Sequence, residues 1–200
     1  DKTTSEIRFN SSLKGSGDIT FENGAKPKFK DVYNGNNYDG ILKIAGSTGN
    51  NSVALISNVA DNGIFLKSGG IIQVTGTGAA VTINGLNTLR GHIETLTNTL
   101  TLLRINKNQT SAGYIKMGNG GITLTVAGAV NSIVFANSAG QTWGSGILAI
   151  TAPNNTVSFG ANGLTAQQLS QVTLNGASPV SMNAQGQLFV AGGNPGNVVS

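Results

Sequence analysis

The sequence predicts an all-β fold: a parallel β-solenoid is preferred, with an antiparallel β-sandwich or jelly roll as the close alternative. Three observations carry this. Short apolar runs rich in Ile, Val and Leu recur about every 7 to 13 residues along the 200-residue chain, the pattern of strands on a pleated, half-buried surface. Asn-Gly pairs punctuate the runs at Asn23-Gly24, Asn34-Gly35, Asn62-Gly63, Asn84-Gly85, Asn119-Gly120, Asn162-Gly163 and Asn175-Gly176, and both residues take tight or left-handed geometry cheaply. Gly, Asn, Thr and Ser number 29, 24, 20 and 17, which suits the corners of stacked coils. Against this, Asn-Gly also suits hairpins, and no clean repeat period is visible.

In chain order, residues 1–17 read as an extended N-terminal strand or arm, and residues 18–200 as one elongated β domain. Ile7, Phe9 and Leu13 share one face of the extended segment, with Glu6, Arg8 and Asn10 on the other. As an arm added to a neighbouring copy's sheet, it makes Ile7, Phe9 and Leu13 the candidate self-assembly residues. An ordinary first strand of the domain shows the same alternation and is the simpler reading. Lys26-Pro27-Lys28-Phe29-Lys30 reads as a sheet edge protected by Pro and Lys. Strands are expected at 41–44, 53–56, 64–66, 71–74, 80–83, 102–105, 114–117, 122–126, 133–135, 147–150, 157–159, 172–174 and 188–190. Thr95, Thr97, Thr99 and Thr101 form a ladder suited to stacking. One short helix is expected over 166–171. There Thr165 and Gln168 have the spacing of a capping box, and Leu164 and Leu169 that of a hydrophobic staple.

Composition narrows the function classes. With no Cys, disulfide scaffolds, thiolate zinc sites and cysteine catalysis are excluded. No apolar run approaches the roughly 20 residues of a membrane-spanning helix. Charged residues make up 10%, against roughly 25% in an ordinary soluble domain. All 20 lie between Asp1 and Lys116, and the 84 residues from Met117 to Ser200 carry none. A surface of that kind offers no charge repulsion against self-association.

The last third carries an ordered set of motifs. Ser132-Ile133-Val134-Phe135-Ala136-Asn137-Ser138, Gln141-Thr142-Trp143 and Gly146-Ile147-Leu148-Ala149-Ile150 form its first half. Val157-Ser158-Phe159-Gly160, Gly163-Leu164-Thr165-Ala166-Gln167-Gln168-Leu169, Val172-Thr173-Leu174-Asn175-Gly176 and Asn183-Ala184-Gln185-Gly186-Gln187-Leu188 form its second. Over about residues 130–192 this order resembles the terminal segment of bacterial surface proteins with autotransporter-associated β-strand repeats. The resemblance implies an exported surface or matrix protein, often one with a C-terminal sorting signal of the exosortase or type IX kind. It supplies no catalytic residues. Where that family places Asp or Glu, this chain has Asn, Ser or Gln. The start at Asp1 without Met, and no sorting signal after Gly196, read as a processed or trimmed chain.

Few residues are equipped for chemistry. His92 is the only His, so a nucleophilic triad has one possible base. It lies in Arg90-Gly91-His92-Ile93-Glu94, where strand alternation puts Arg90, His92 and Glu94 on one face. With Trp143 these are the candidate binding residues for an acidic or sugar ligand. A solvated outer stripe is the simpler reading. Asp31, Asn34, Asn36 and Asp39 offer oxygen ligands at short intervals, a weak calcium candidate for which an Asn-rich turn is the better account. Three lysines and one aromatic fall far short of a nucleic-acid groove. No acid follows Glu94, so a solenoid polysaccharide enzyme resting on Glu94 or Asp61 is disfavoured.

The chain is therefore expected to be an exported, non-enzymatic structural protein at the bacterial cell surface or outside the cell. It would be a subunit of a filament, surface layer or matrix assembled by β-strand or end-to-end contacts. A surface adhesin or carbohydrate-binding module is the alternative. Copies of itself and possible surface glycans are the expected partners. No cofactor, nucleic acid or membrane insertion is expected.

Overall fold

Nearly every strand bonds to the strand one coil further along the chain, in parallel. The computed structural model describes residues 6–22, 25–29, 37–45, 53–56 and 66–190. Their longest sheet holds eight strands in the order Glu6–Phe9, Lys26–Phe29, Val53–Ile56, Ala79–Ile83, Leu100–Ile105, Ile122–Val126, Leu148–Thr151 and Val172–Leu174. A second face stacks Ile19–Phe21, Ile41–Ile44, Ile71–Val74, His92–Thr95 and Ile115–Met117. A third stacks Gln109–Ala112, Ser132–Phe135 and Thr156–Ser158. This is a β-solenoid. No helix among the described residues is long and apolar enough to cross a membrane.

The register explains why no period shows in the sequence. Ile41 pairs with Ile71, thirty residues on, but Ile71 pairs with His92, twenty-one on. Val81 pairs with Leu103 and Leu148 with Val172, offsets of 22 and 24. The variation is absorbed at the corners, while each rung stays aligned with its neighbours.

Alignment turns alternation along each strand into columns along the axis. Leu42, Ile72, Ile93 and Ile115 form one buried column. Val81, Leu103, Leu124, Ile150 and Leu174 form another across the interior. Phe135 and Phe159 stack at 5.1 Å on the third face. Each such residue packs against like residues above and below, which gives a thin core continuous contact along its length.

Between the faces, side chains from the adjacent coil bind the bending backbone. The amide of fully buried Gln109 accepts from the Leu89 N–H (3.0 Å) and donates to the Gly85 and Lys107 carbonyls. Asn108 Oδ1 accepts from the Asn131 and Ser132 N–H groups. Gln171 donates to the Gly144 and Gly146 carbonyls. The threonine ladder serves the same purpose: Thr95 donates to the Gly120 carbonyl, Thr101 to that of Ala79, and Thr99 accepts from the Gly121 N–H. These hydroxyls bond the neighbouring coil's backbone rather than stacking on each other.

The helix is Ala166–Ser170, with both arms of the Thr165–Gln168 capping box formed. Gln168 does more than the sequence suggests. While its Oε1 accepts from the Thr165 N–H, its Nε2 donates to the Ser138 and Gln141 carbonyls, each at 2.9 Å. A Glu would keep the cap and lose both donations.

One sequence expectation needs correction. Lys26–Phe29 is not a sheet edge; it lies between Glu6–Phe9 and Val53–Ile56. Pro27 is tolerated because pairing with Val53–Ile56 is registered only at Lys28 and Phe29, so the missing N–H breaks no rung there. Among the described residues, the Asn-Gly pairs at 84–85, 119–120 and 162–163 turn corners, as the solenoid reading expects. Asn175-Gly176 is the exception. Both residues have positive φ (52° and 77°) and Leu174 and Ala177 exchange two 3.0 Å bonds, a type I′ turn. The parallel stack stops at this turn. Beyond it, Val180–Met182 and Leu188–Val190 pair antiparallel and bury Val180 and Leu188 against the last coil. Ser158 bridges antiparallel to Gln187, closing the third face. The expected strand at 64–66 lies mostly outside the described residues; Leu66 makes a parallel bridge to Leu89.

Close stacking leaves no room at the corner formed by Gly70, Gly91 and Gly113. A Cβ on Gly91 would lie 2.7 Å from the Gly70 carbonyl oxygen, and one on Gly113 would overlap the Gly91 carbonyl. Gly113→Ala is expected to lower the unfolding free energy by about 1–3 kcal/mol. Gly128→Ala, with nothing within 4 Å of the added carbon, should fall within about 0.5 kcal/mol of the parent. Urea denaturation of both variants measures the difference.

Candidate functional site

The second face carries two outward columns with different chemistry. One runs Lys43, Gln73, Glu94, Lys116 in register. Glu94 sits in its middle, accepting from Gln73 Nε2 at 2.8 Å and pairing with Lys116 Nζ at 2.5 Å. It is only 7% exposed. Burial pushes its pKa up, but the Lys116 and Gln73 hydrogen bonds outweigh burial and hold it below its ordinary value. Toward the N-terminal end of the column, where Thr20 is the next rung, Lys43 pairs with Asp18 at 2.8 Å, and that hydrogen bond holds Asp18 low.

The other column runs Ile41, Ile71, His92 and continues to Tyr114. The His92 and Tyr114 rings stack with centroids 3.5 Å apart and planes 11° from parallel. Nδ1 of His92 accepts from the Tyr114 N–H at 3.1 Å. An accepting Nδ1 fits the neutral ring with its proton on Nε2. Burial pushes the His92 pKa below its ordinary 6.5, the Ser68 carbonyl opposing.

Arg90, His92 and Glu94 therefore do not form one solvated stripe. Arg90 precedes the strand His92–Thr95, at the corner, and Glu94 is clamped between two in-register neighbours. Parallel stacking flanks every mid-stack side chain from above and below, so an outward position need not be a solvated one. Trp143 is corrected more fully. It is 7% exposed, belongs to the core, and donates its indole N–H to the Ile115 carbonyl at 3.0 Å. Its ring offers no platform for a sugar. Of the calcium candidates, Asp39 pairs with Lys67 at 3.7 Å; Asp31, Asn34 and Asn36 lie outside the described residues, as does Asp61.

Beside His92 the surface opens into a groove of about 380 Å³ lined by Ser68, Arg90, Ser111, Val134 and neighbours from successive coils. Arg90 Nε is shut from solvent with no hydrogen-bond partner. Ser68 and Ser111 went unnoticed in the sequence. They stand 22 and 21 residues either side of Arg90, a relation visible only once coil lengths are known. At the N-terminal end, Phe9 stacks on Phe29 (4.7 Å) and meets Phe21 edge-on (6.1 Å). Leu13 packs partly buried against the core, and Ile7 is 42% exposed. Residues 6–9 thus form the first strand of the stack rather than a detached arm.

No protein family, curated protein or solved structure matches this chain.

Burial of the His92 ring gives a pH dependence. A folded pKa below 6.5 means the unfolded chain binds the proton first as pH falls. The stabilisation is full above about pH 6.5 and is lost as pH drops below it, through the folded pKa. Glu94 and Asp18, also held low, add their losses only in the carboxylate range. The urea midpoint should fall between pH 7.5 and 5, and His92→Asn should flatten that limb while leaving the steeper acid limb.

Proposed function

We propose that this chain is an exported structural protein of the bacterial cell surface or its surroundings, a subunit of a filament, surface layer or matrix built from copies of itself. The observation that carries the reading is the first rung. Glu6–Phe9 has a strand partner on one side only among the described residues, and it shows Ile7 to solvent. An exposed edge with an apolar side chain is a template for another strand. The opposite end is covered by the Val180–Val190 hairpin, so strand contact favours first rung against first rung, a two-fold pair. Growth beyond a pair then uses the flanks, where every side chain from Met117 onward is uncharged. The motif order over residues 130–192 and its resemblance to bacterial surface proteins support the same reading.

A second reading, a glycan-binding surface adhesin or module, is favoured by the groove with Arg90 in its lining.

Sedimentation velocity over a hundredfold concentration range, with negative-stain microscopy at the top, tests self-assembly. Dimers and larger ordered species are expected, and Ile7→Lys should weaken the dimer about tenfold or more. A strictly monomeric chain at every concentration would refute the reading.

A further inference from the structure

The groove beside the Arg90 corner holds a cation that has no counter-charge among the described residues. Its lining residues Ser68, Arg90, Ser111 and Val134 come from four successive coils. At about 4.8 Å per rung the floor runs about 14 Å along the solenoid axis. It is long, narrow and open at the surface, a shape for a linear occupant. None of its lining residues is acidic. His92, also in the lining, accepts at Nδ1 within the fold, and burial disfavours its charged form. Glu94, the nearest acid in sequence, is engaged by Gln73 and Lys116. Arg90 is thus the groove's single charge; its Nε is shut from solvent, so the terminal guanidinium nitrogens are the ones a ligand can meet.

We infer that this groove binds a linear acidic glycan, with the Arg90 guanidinium taking the carboxylate of one uronic-acid unit. The inference rests on the glycan-binding reading above, not on self-assembly. A planar guanidinium matches a carboxylate in a two-pronged hydrogen-bonded pair. Ser68 and Ser111, both exposed, supply hydroxyls for sugar hydroxyls. Ala112, Val134 and Ala136 supply the apolar floor against which C–H faces of a sugar ring lie. The rung spacing is close to the advance of one pyranose unit. One cation is too few for a nucleic-acid backbone, and an acidic peptide has no use for an apolar floor flanked by hydroxyls.

Calorimetric titration of the whole chain with a trimer of galacturonic acid, a neutral cello-trimer and a short polyglutamate peptide tests this. The uronide alone should bind. Arg90→Gln should weaken it about tenfold or more, with Arg90→Lys intermediate because the charge stays and the fork goes. Ser111→Trp, at an exposed position, should block the groove with Arg90 intact; urea midpoints check that each variant folds. Equal binding of the neutral trimer, blocked by Ser111→Trp, would overturn the acidic specificity and leave the glycan-binding reading standing. No binding of either sugar would overturn both. Binding of polyglutamate as tight as the uronide, or uronide binding indifferent to Arg90→Gln, would overturn the inference.

Discussion

A coil that stacks in parallel must satisfy its backbone twice over: along the flat faces, where ladders do it, and at the corners, where ladders stop. In this chain the corners are satisfied by side chains from the coil above or below. Gln109, Asn108, Gln168 and Gln171 each bind backbone groups 20 to 30 residues away in sequence. Each bond contributes about 1 kcal/mol net, but leaving a buried group unpaired costs about 1–3 kcal/mol. The constraint is one of register more than of strength. A slipped coil would misplace all of these amides together with the core columns they flank.

This accounts for a composition that otherwise resembles a disordered linker. Asn and Gln supply a donor and an acceptor on one short side chain, so one residue serves an N–H of one coil and a carbonyl of the next. Glycine is needed where coils approach too closely for a Cβ, as at Gly91 and Gly113. The apolar residues need only fill a narrow interior. Charge is dispensable inside such a scheme, and the rear of the chain does without it.

The strands were legible because alternation and turn residues are local signals. Ile122–Val126, Val172–Leu174 and Leu188–Val190 fall where the residue pattern puts them. The capped helix was legible for the same reason. Strand partners were not, because coil length varies between neighbours and the corner that absorbs the variation leaves no local mark. Asn175-Gly176 illustrates the limit. Among the described Asn-Gly pairs it alone reverses the stack, since Leu174 there meets Ala177. The binding candidates suffered most. Glu94 and Trp143 looked free in the sequence and are held by Lys116 and the Ile115 carbonyl. Of the four, Arg90 and His92 line the groove, and Arg90 brings its charge there.

The assembly and glycan readings draw on opposite features of one scaffold: a neutral, unshielded margin on one hand, a lone cation in a furrow on the other. Both presuppose that residues one coil apart lie side by side. Because the chain has no native Cys, paired cysteines report this without interference. Thr125 and Thr151 are in-register partners on adjacent rungs, within disulfide reach. Thr125 and Ser132 are the pair an antiparallel hairpin between Ile122–Val126 and Ser132–Phe135 would juxtapose. The account predicts rapid intramolecular disulfide formation in T125C/T151C and none in T125C/S132C. The reverse pattern would contradict the parallel stack and everything built on it.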